Sequence, residues 1–242
     1  MSTALLTVES LSKRFRGLKA VSNLSFTVPE GRILALIGPN GAGKTTSFNL
    51  IAGVFPPDEG SVTLKGTRLT GLKPNQVCAA GIGRTFQIVK PFGHLTVEEN
   101  VMVGALARER SVEVARRQAR ALLERLEMAD AAQRPARSLT LPDRKRLEVA
   151  RALATRPTLL LLDEVLAGLR PTEVDRMVAV LRDLNRREGI TILMIEHVMR
   201  AVMALSDHVV VLDHGEKIAD GTPPEVVSDP RVIESYLGAE EA

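Results

Sequence analysis

The run Gly38-Pro39-Asn40-Gly41-Ala42-Gly43-Lys44-Thr45 has the spacing G-x-x-x-x-G-K-[ST], with Thr46 directly after it. These residue types suit one task, the cradling of a chain of phosphates. The glycines let the backbone curl until successive N–H groups point inward at phosphate oxygens. "RILALIG" (32–38) before the run reads as a buried strand, and "GKTTSFNLIAG" (43–53) reads as a helix ended by Gly53. The N-terminus of that helix would present partial positive charge to the same anion. Lys44 can reach the β- and γ-phosphates, and the Thr45 hydroxyl can bind Mg²⁺.

A second cluster lies in "LLLLDE". Four leucines build a buried strand whose end delivers Asp163, suited to holding Mg²⁺ through water or Thr45. Glu164 follows at the mouth of the strand, placed to polarise an attacking water as a general base.

These residues need a scaffold, and the chain alternates short apolar runs with amphipathic stretches, the pattern of an α/β protein. Strand texture recurs at "SVTLKG", "GIGRTFQ", "TLLLLDE" (158–164), "GITILMIEH" (189–197) and "DHVVVLDHGEKIADG" (207–221). In the last of these, His214-Gly215 marks a turn followed by a short return strand. From about 96 to 155 the texture is almost purely helical. "TVEEN" (96–100) opens one helix with a Thr96–Glu99 capping box, and 112–128 forms another with Leu122, Leu123 and Leu126 on one face. Its arginines are expected to form a solvated face. The chain is thus expected to be a single domain over 1–242, with an α/β core over about 1–92 and 156–242 and a helical lobe over about 93–155.

Of the 242 residues 45% are hydrophobic, enough for a sizeable core. Lys and Arg outnumber Asp and Glu by 32 to 29, too small an excess to argue for nucleic acid. "MSTALLTVES" has no basic n-region or sustained apolar run, so no secretory leader is expected. No apolar run approaches the ~20 residues that span a bilayer. The lone Cys78 excludes an internal disulfide and is expected to be a small buried residue in a reducing compartment.

The order of phosphate loop, Gln87 in "GRTFQ", basic helix, "LLLLDE" and His197 in "MIEH" resembles the ATP-binding subunits of ABC transporters across nearly the whole chain. The resemblance implies a P-loop ATPase core with an N-terminal antiparallel β-subdomain and an inserted α-helical subdomain. It implies ATP and Mg²⁺ as ligands, Gln87 as a contact to Mg²⁺ that senses a membrane partner, and His197 as a contact to the γ-phosphate. It also implies that Phe15, in "SKRF", stacks on adenine, although the family usually has Tyr there. His94, His208 and His214 match no family role and are expected at the surface or in packing. "GIGRTFQIVKPFGHLTVEENVMVGA", "DEVLAGLRPTEVD" and the ending "GTPPEVV…DPRVIESYLG" are similar to the LivG type, the ATPases of branched-chain amino acid importers. ATPases for urea import and lipopolysaccharide export share much of this texture.

As implied partners, integral membrane permeases and a second ABC ATPase subunit would hold the chain peripherally on the cytoplasmic face of the inner membrane. A periplasmic or extracellular binding protein would act indirectly, and nucleic acid is not expected. A soluble ABC ATPase acting on nucleic acid or ribosomes usually carries tandem domains or basic arms, which this sequence lacks. A non-catalytic regulatory subunit is the other alternative, and intact Glu164 and His197 argue against it.

Departures cluster where the family faces its second subunit. Val165 replaces a Pro and Arg170 an acid. "LTLPDRKRLEVARAL" (139–153) stands where LSGGQ and a basic helix are usual. Thr140 there replaces Ser, Pro142 a Gly and Asp143 a Gln. Thr140-x-x-Asp143 resembles a capping box and Pro142 suits a first helical turn. Proline removes one backbone N–H, and Asp143 brings a carboxylate toward the nucleotide that Arg144 and Lys145 can offset. Two readings stay open, a working variant of the motif and a weakened signature in an asymmetric dimer.

Overall fold

The computed structural model describes residues 3–237. Met1 and Ser2 of the opening "MSTALLTVES", and Gly238 at the end of "DPRVIESYLG", lie outside the described residues. In chain order the first elements are β1 (Ala4–Phe15), β2 (Leu18–Pro29), β3 (Ile33–Ile37), α1 (Lys44–Ile51), β4 (Glu59–Leu64) and β5 (Thr67–Arg68). They are followed by α2 (Pro74–Ala80), β6 (Ile82–Arg84), α3 (Val97–Ala105), α4 (Val112–Arg125) and α5 (Leu141–Ala154). The remainder is β7 (Leu159–Asp163), α6 (Pro171–Glu188), β8 (Thr191–Ile195), α7 (Met199–Leu205), β9 (His208–Asp213), β10 (Glu216–Gly221), α8 (Pro223–Val227) and α9 (Pro230–Leu237).

Two sheets form. One is antiparallel in the order β2-β1-β4-β5; the other runs β10-β9-β3-β8-β7-β6, parallel except for β10. Every residue of β3, β7 and β8 is buried, as expected of parallel strands covered on both faces. The period-2 alternation of strands divides these side chains between two cores. Ala35, Leu160, Leu162, Ile192, Met194 and Val211 face the helices, with Val97, Val101, Leu123, Leu147, Leu181 and Val202. Leu34, Leu36, Leu161, Leu193 and Val210 face Phe48 of α1 and the antiparallel sheet through Leu6, Leu24 and Val28. The helices between 97 and 154 therefore share one continuous core with the sheet.

Local chemistry sets the helix boundaries. The Thr96 hydroxyl accepts from the Glu99 N–H at 3.1 Å, and the Glu99 carboxylate accepts from the Thr96 N–H at 2.7 Å, forming the capping box. On α4, Leu123 and Leu126 beyond its end are buried, while the exposed Arg116 and Arg120 converge on the buried Glu98. β9 and β10 turn back at His214 and Gly215, whose φ values of 46° and 83° are those of a tight hairpin turn. The helix after the phosphate loop spans Lys44–Ile51 and ends, as expected, at Gly53, which sits in the left-handed region just past it. Two expectations are corrected. The strand at "GIGRTFQ" shrinks to Ile82–Arg84, because beyond it the Asp163 N–H is taken by the Thr85 hydroxyl and not by a backbone carbonyl. Cys78 is half-buried, because α2 buries only Val77 fully.

Candidate functional site

The sequence-predicted phosphate residues gather at the carboxyl end of β3, in the middle of the six-stranded sheet. Ligands of open α/β sheets bind in this position. The loop there requires glycine at two points. A Cβ on Gly38, whose φ is 145°, would lie 2.0 Å from the Leu212 carbonyl oxygen; one on Gly43, at φ 98°, would lie 2.4 Å from that of Ala20. The loop is braced from behind, where the Gly215 N–H donates to the Ala42 oxygen at 3.1 Å. Lys44 is buried, and its ammonium donates to the Gly38 and Pro39 oxygens at 2.7 and 2.8 Å. Burial pushes its pKa down, against the pull of Glu164 and Asp163.

A cleft of about 650 Å³ opens over this loop, in the size range of small-ligand sites. Asn40, Gly41, Ala42, Gly43, Lys44, Thr45 and Thr46 line it, with Gln87 and Glu164 on one side and Phe15 on another. Phe15 is 37% exposed at the cleft, its ring T-shaped to Phe55 with centroids 5.3 Å apart and the Lys13 ammonium 5.7 Å from its own centroid. Leu18, Lys19, Ala20 and His214 also line the cleft. His214 is exposed, as expected, and the hairpin turn that braces Ala42 carries it to the rim.

An adjoining recess is lined by Thr45, Arg84, Gln87 and Asp163. Asp163 is buried, and two contacts fix it. Its N–H donates to the Thr85 hydroxyl at 3.0 Å, and its Oδ2 accepts from Arg84 at 3.1 Å. Arg84 in turn is held by Asn49 at 2.7 Å. Burial nonetheless raises the Asp163 pKa, and its Oδ1 has no partner among the described residues. Glu164 adopts φ 49°, a left-handed conformation that costs a non-glycine residue about 1–3 kcal/mol. Its Oε2 accepts from Gln87 Nε2 at 2.7 Å, so these two side chains meet across the cleft mouth.

The exposed Thr45 hydroxyl, the orphaned Asp163 Oδ1 and the Gln87 carbonyl oxygen form a set of hard oxygen donors beside the phosphate loop. Such a set suits Mg²⁺, which binds one or two protein oxygens and completes its octahedron with phosphate and water. Among the described residues no cluster of three or more His, Cys, Asp or Glu forms a protein-only metal cage.

His197 is not part of this cleft. β8 ends at Ile195, and the Glu196 carboxylate turns inward to accept from the Leu166 N–H at 2.9 Å, leaving His197 exposed on the segment beyond. Glu196 is 1% exposed, and burial pushes its pKa up to about 7. Thr140 and Asp143 also lie apart, at the start of α5 over a separate small cavity shared with Pro142 and Arg146.

The start of α5 corrects two expectations. Pro142 does fall in the first helical turn, but Thr140 forms no side-chain cap. Its hydroxyl donates to Asp143 Oδ2 at 2.8 Å, and its oxygen accepts from no N–H of the first turn. Asp143 Oδ1 accepts from Arg146 at 2.9 Å, so Arg146 and not Arg144 or Lys145 offsets its charge. Arg144 bonds the Arg137 oxygen, and Lys145 is buried toward Glu164. Of the other departures, Val165 is buried, and Arg170 caps α6 by pairing with Glu173 at 2.7 Å.

A glycine-curled loop at the switch point of a mostly parallel sheet, with Lys44 inside it and Asp163 and Glu164 beyond the neighbouring strand, defines a P-loop nucleotide-binding ATPase. The ABC transporter family matches residues 21–167, and a branched-chain amino acid ATP-binding cassette transporter family matches residues 216–242. The chain is 42% identical to the high-affinity branched-chain amino acid transport ATP-binding protein LivG of Salmonella typhimurium, over 98% of this chain and 99% of that one. It is 39% identical over the same shares to BraF of Pseudomonas aeruginosa, a protein of the same description. The lipopolysaccharide export ATP-binding protein LptB of Haemophilus influenzae is 34% identical over 97% of this chain and 98% of that one. A solved nucleotide-free ATP-binding cassette of an ABC transporter superposes with a TM-score of 0.89 at 32% identity, over 97% and 99% of the two chains. The chain belongs to the ABC transporter ATP-binding family and is an ATP-binding, ATP-hydrolysing subunit of that family.

Proposed function

We propose that this subunit energises the import of branched-chain or related amino acids. The observation that carries the substrate class is whole-length identity of 39–42% to BraF and LivG, joined by the family match over 216–242. The lower identity to LptB makes export of lipopolysaccharide the weaker reading. In proteoliposomes holding the assembled transporter, ATP-driven uptake of radiolabelled leucine is expected with the wild-type chain and not with Lys44→Ala. Uptake that stays at background with wild type, while ATP is hydrolysed, would move the cargo to another class.

In this reading the loop from Gly38 to Thr46 holds the triphosphate, Lys44 moves from the Gly38 and Pro39 oxygens to the β- and γ-phosphates, and Phe15 stacks on the base. Thr45, Asp163 and Gln87 would hold Mg²⁺, which neutralises charge on the phosphates. Glu164 orients a water for in-line attack on the γ-phosphorus and takes its proton as the bond to the β-phosphate oxygen breaks. His197 would reach the γ-phosphate only after the segment beyond β8 shifts toward the cleft. Among the described residues no helix is long and apolar enough to cross a membrane. The chain is therefore proposed to dock peripherally on permease subunits at the cytoplasmic face. The apolar groove lined by Val54, Val77, Phe86 and Val103 is the proposed seat, with the lobe over about 93–155 forming one wall.

Thr140 and the first turn of α5 would cover ATP held by a second ATPase subunit. The Thr140 hydroxyl is committed to Asp143, and Pro142 offers no N–H, so this covering face is weakened. A hydrogen bond to a charged group contributes ~1.5–3 kcal/mol, roughly tenfold or more in closure. The double variant Pro142→Gly with Asp143→Gln is expected to raise steady-state ATPase activity of the isolated chain by about that factor. Unchanged activity and unchanged ATP-driven dimerisation would mean that LTLPD is a working form of the signature.

A further inference from the structure

Glu164 is held in its left-handed conformation by contacts on both sides of its backbone. Its N–H donates to the Ile195 oxygen at 3.0 Å, and its carbonyl oxygen accepts from the Lys145 ammonium at 2.8 Å. Two residues on, the Leu166 N–H is anchored by Glu196. The Lys145 ammonium also lies 3.4 Å from the Gln87 oxygen. Lys145 therefore holds the backbones of the same two residues, Glu164 and Gln87, whose side chains meet over the cleft. It is 5% exposed, and Glu196, Glu164, Asp163 and Glu148 surround it with negative charge.

The position of Lys145 in the chain gives this contact a second end. It lies on α5 five residues after Thr140, about 7.5 Å along the axis. Thr140 begins the turn proposed to cover a second subunit's ATP. A buried ammonium on a rigid helix fixes the distance between that turn and the Glu164 backbone.

We propose that Lys145 is a positioning residue for hydrolysis, holding Glu164 and Gln87 in register and linking their placement to the face of α5 that meets the second subunit. The proposal rests on Glu164 acting as the general base. Lys145 lines neither the cleft over the phosphate loop nor the recess beside it, so its removal should slow the chemical step and spare nucleotide binding. A carboxylate displaced by about 1 Å from its working position can slow a reaction by about 100-fold.

The test is ATP turnover and Mg-ATP affinity of the full-length chain carrying Lys145→Met, Lys145→Arg and Glu164→Gln, singly and with Lys145→Met and Glu164→Gln combined. Lys145→Met is expected to lower kcat by about 10- to 100-fold while KM and Kd for Mg-ATP stay within about threefold. Lys145→Arg, which can donate to the same carbonyls, is expected to recover most of the rate. In the Glu164→Gln background, Lys145→Met is expected to change the residual single-turnover rate by less than about twofold, because a residue acting through Glu164 has nothing further to lose. An unaltered kcat, an equal loss in both backgrounds, or a loss confined to KM would overturn the proposal. If Lys145→Met leaves the buried Glu196 unbalanced and fails to fold, Lys145→Met with Glu196→Gln removes both charges and is judged by the same criteria. Near-normal turnover by Glu164→Gln would remove the base assignment and this proposal with it. A slow Glu164→Gln beside an unaffected Lys145→Met would overturn this proposal alone.

Discussion

Replacement of Lys44 by Ala is expected to abolish ATP binding at working concentrations. The ammonium is buried at the floor of the cleft, where it already donates to the Gly38 and Pro39 oxygens. Exchanging those two neutral carbonyls for two anionic phosphate oxygens keeps the number of bonds and adds attraction between opposite charges, about 4 kcal/mol near a protein surface. Its loss corresponds to at least about a 100-fold weakening. The Gly38 and Pro39 oxygens also lose their donor, which costs the folded state about 1–3 kcal/mol, so the variant should melt several degrees lower while still folding. Equilibrium binding of a fluorescent ATP analogue, beside a thermal melt, checks both effects. Wild-type affinity in a folded Lys44→Ala protein would remove Lys44 from the phosphate site.

The loop around Lys44 was legible in the sequence because its pattern is contiguous, eight residues whose own turn calls for glycine, although the carbonyls of Leu212 and Ala20 that crowd Gly38 and Gly43 come from distant segments. The apolar run before Asp163 marks a strand buried on both faces. The alternation of runs likewise gave the α/β class, the helical stretch and the His214-Gly215 turn. What was not legible depends on register between segments distant in sequence. Arg84 reaches Asp163 only because β6 lies parallel to β7 with Arg84 opposite Leu161. Lys145 read as a cation able to offset Asp143, since nothing nearby in sequence says that its face turns toward the end of β7. Glu196 is drawn inward by a backbone N–H from another loop, and its neighbour His197 is thereby left outside the cleft. The pairing of the Thr140 hydroxyl with Asp143 could not be read either, because a capping pattern fixes which groups are near and leaves open whether the hydroxyl accepts from the backbone or only donates to the carboxylate.

Exchange of Glu164 for Gln is the second large expected effect. The carboxylate stands half-buried at the cleft mouth, its backbone clamped by Ile195 and Lys145 and one oxygen engaged by Gln87. An amide keeps nearly the same shape and can still face Gln87, but it cannot take a proton from water. General-base catalysis contributes about 10²–10⁴-fold, so cleavage should slow by at least about that lower figure while Mg-ATP still binds. The bound, uncleaved nucleotide should then accumulate in an ATP-dependent dimer.

The most direct measurement is single-turnover cleavage of γ-labelled ATP by wild-type and Glu164→Gln protein at saturating Mg²⁺, with nucleotide occupancy determined in the same samples. The expected result is occupancy within a few-fold of wild type and cleavage slowed by about 100-fold or more. Cleavage within a few-fold of wild type at equal occupancy would show that another group takes the proton, and would contradict the assignment of Glu164 as the base.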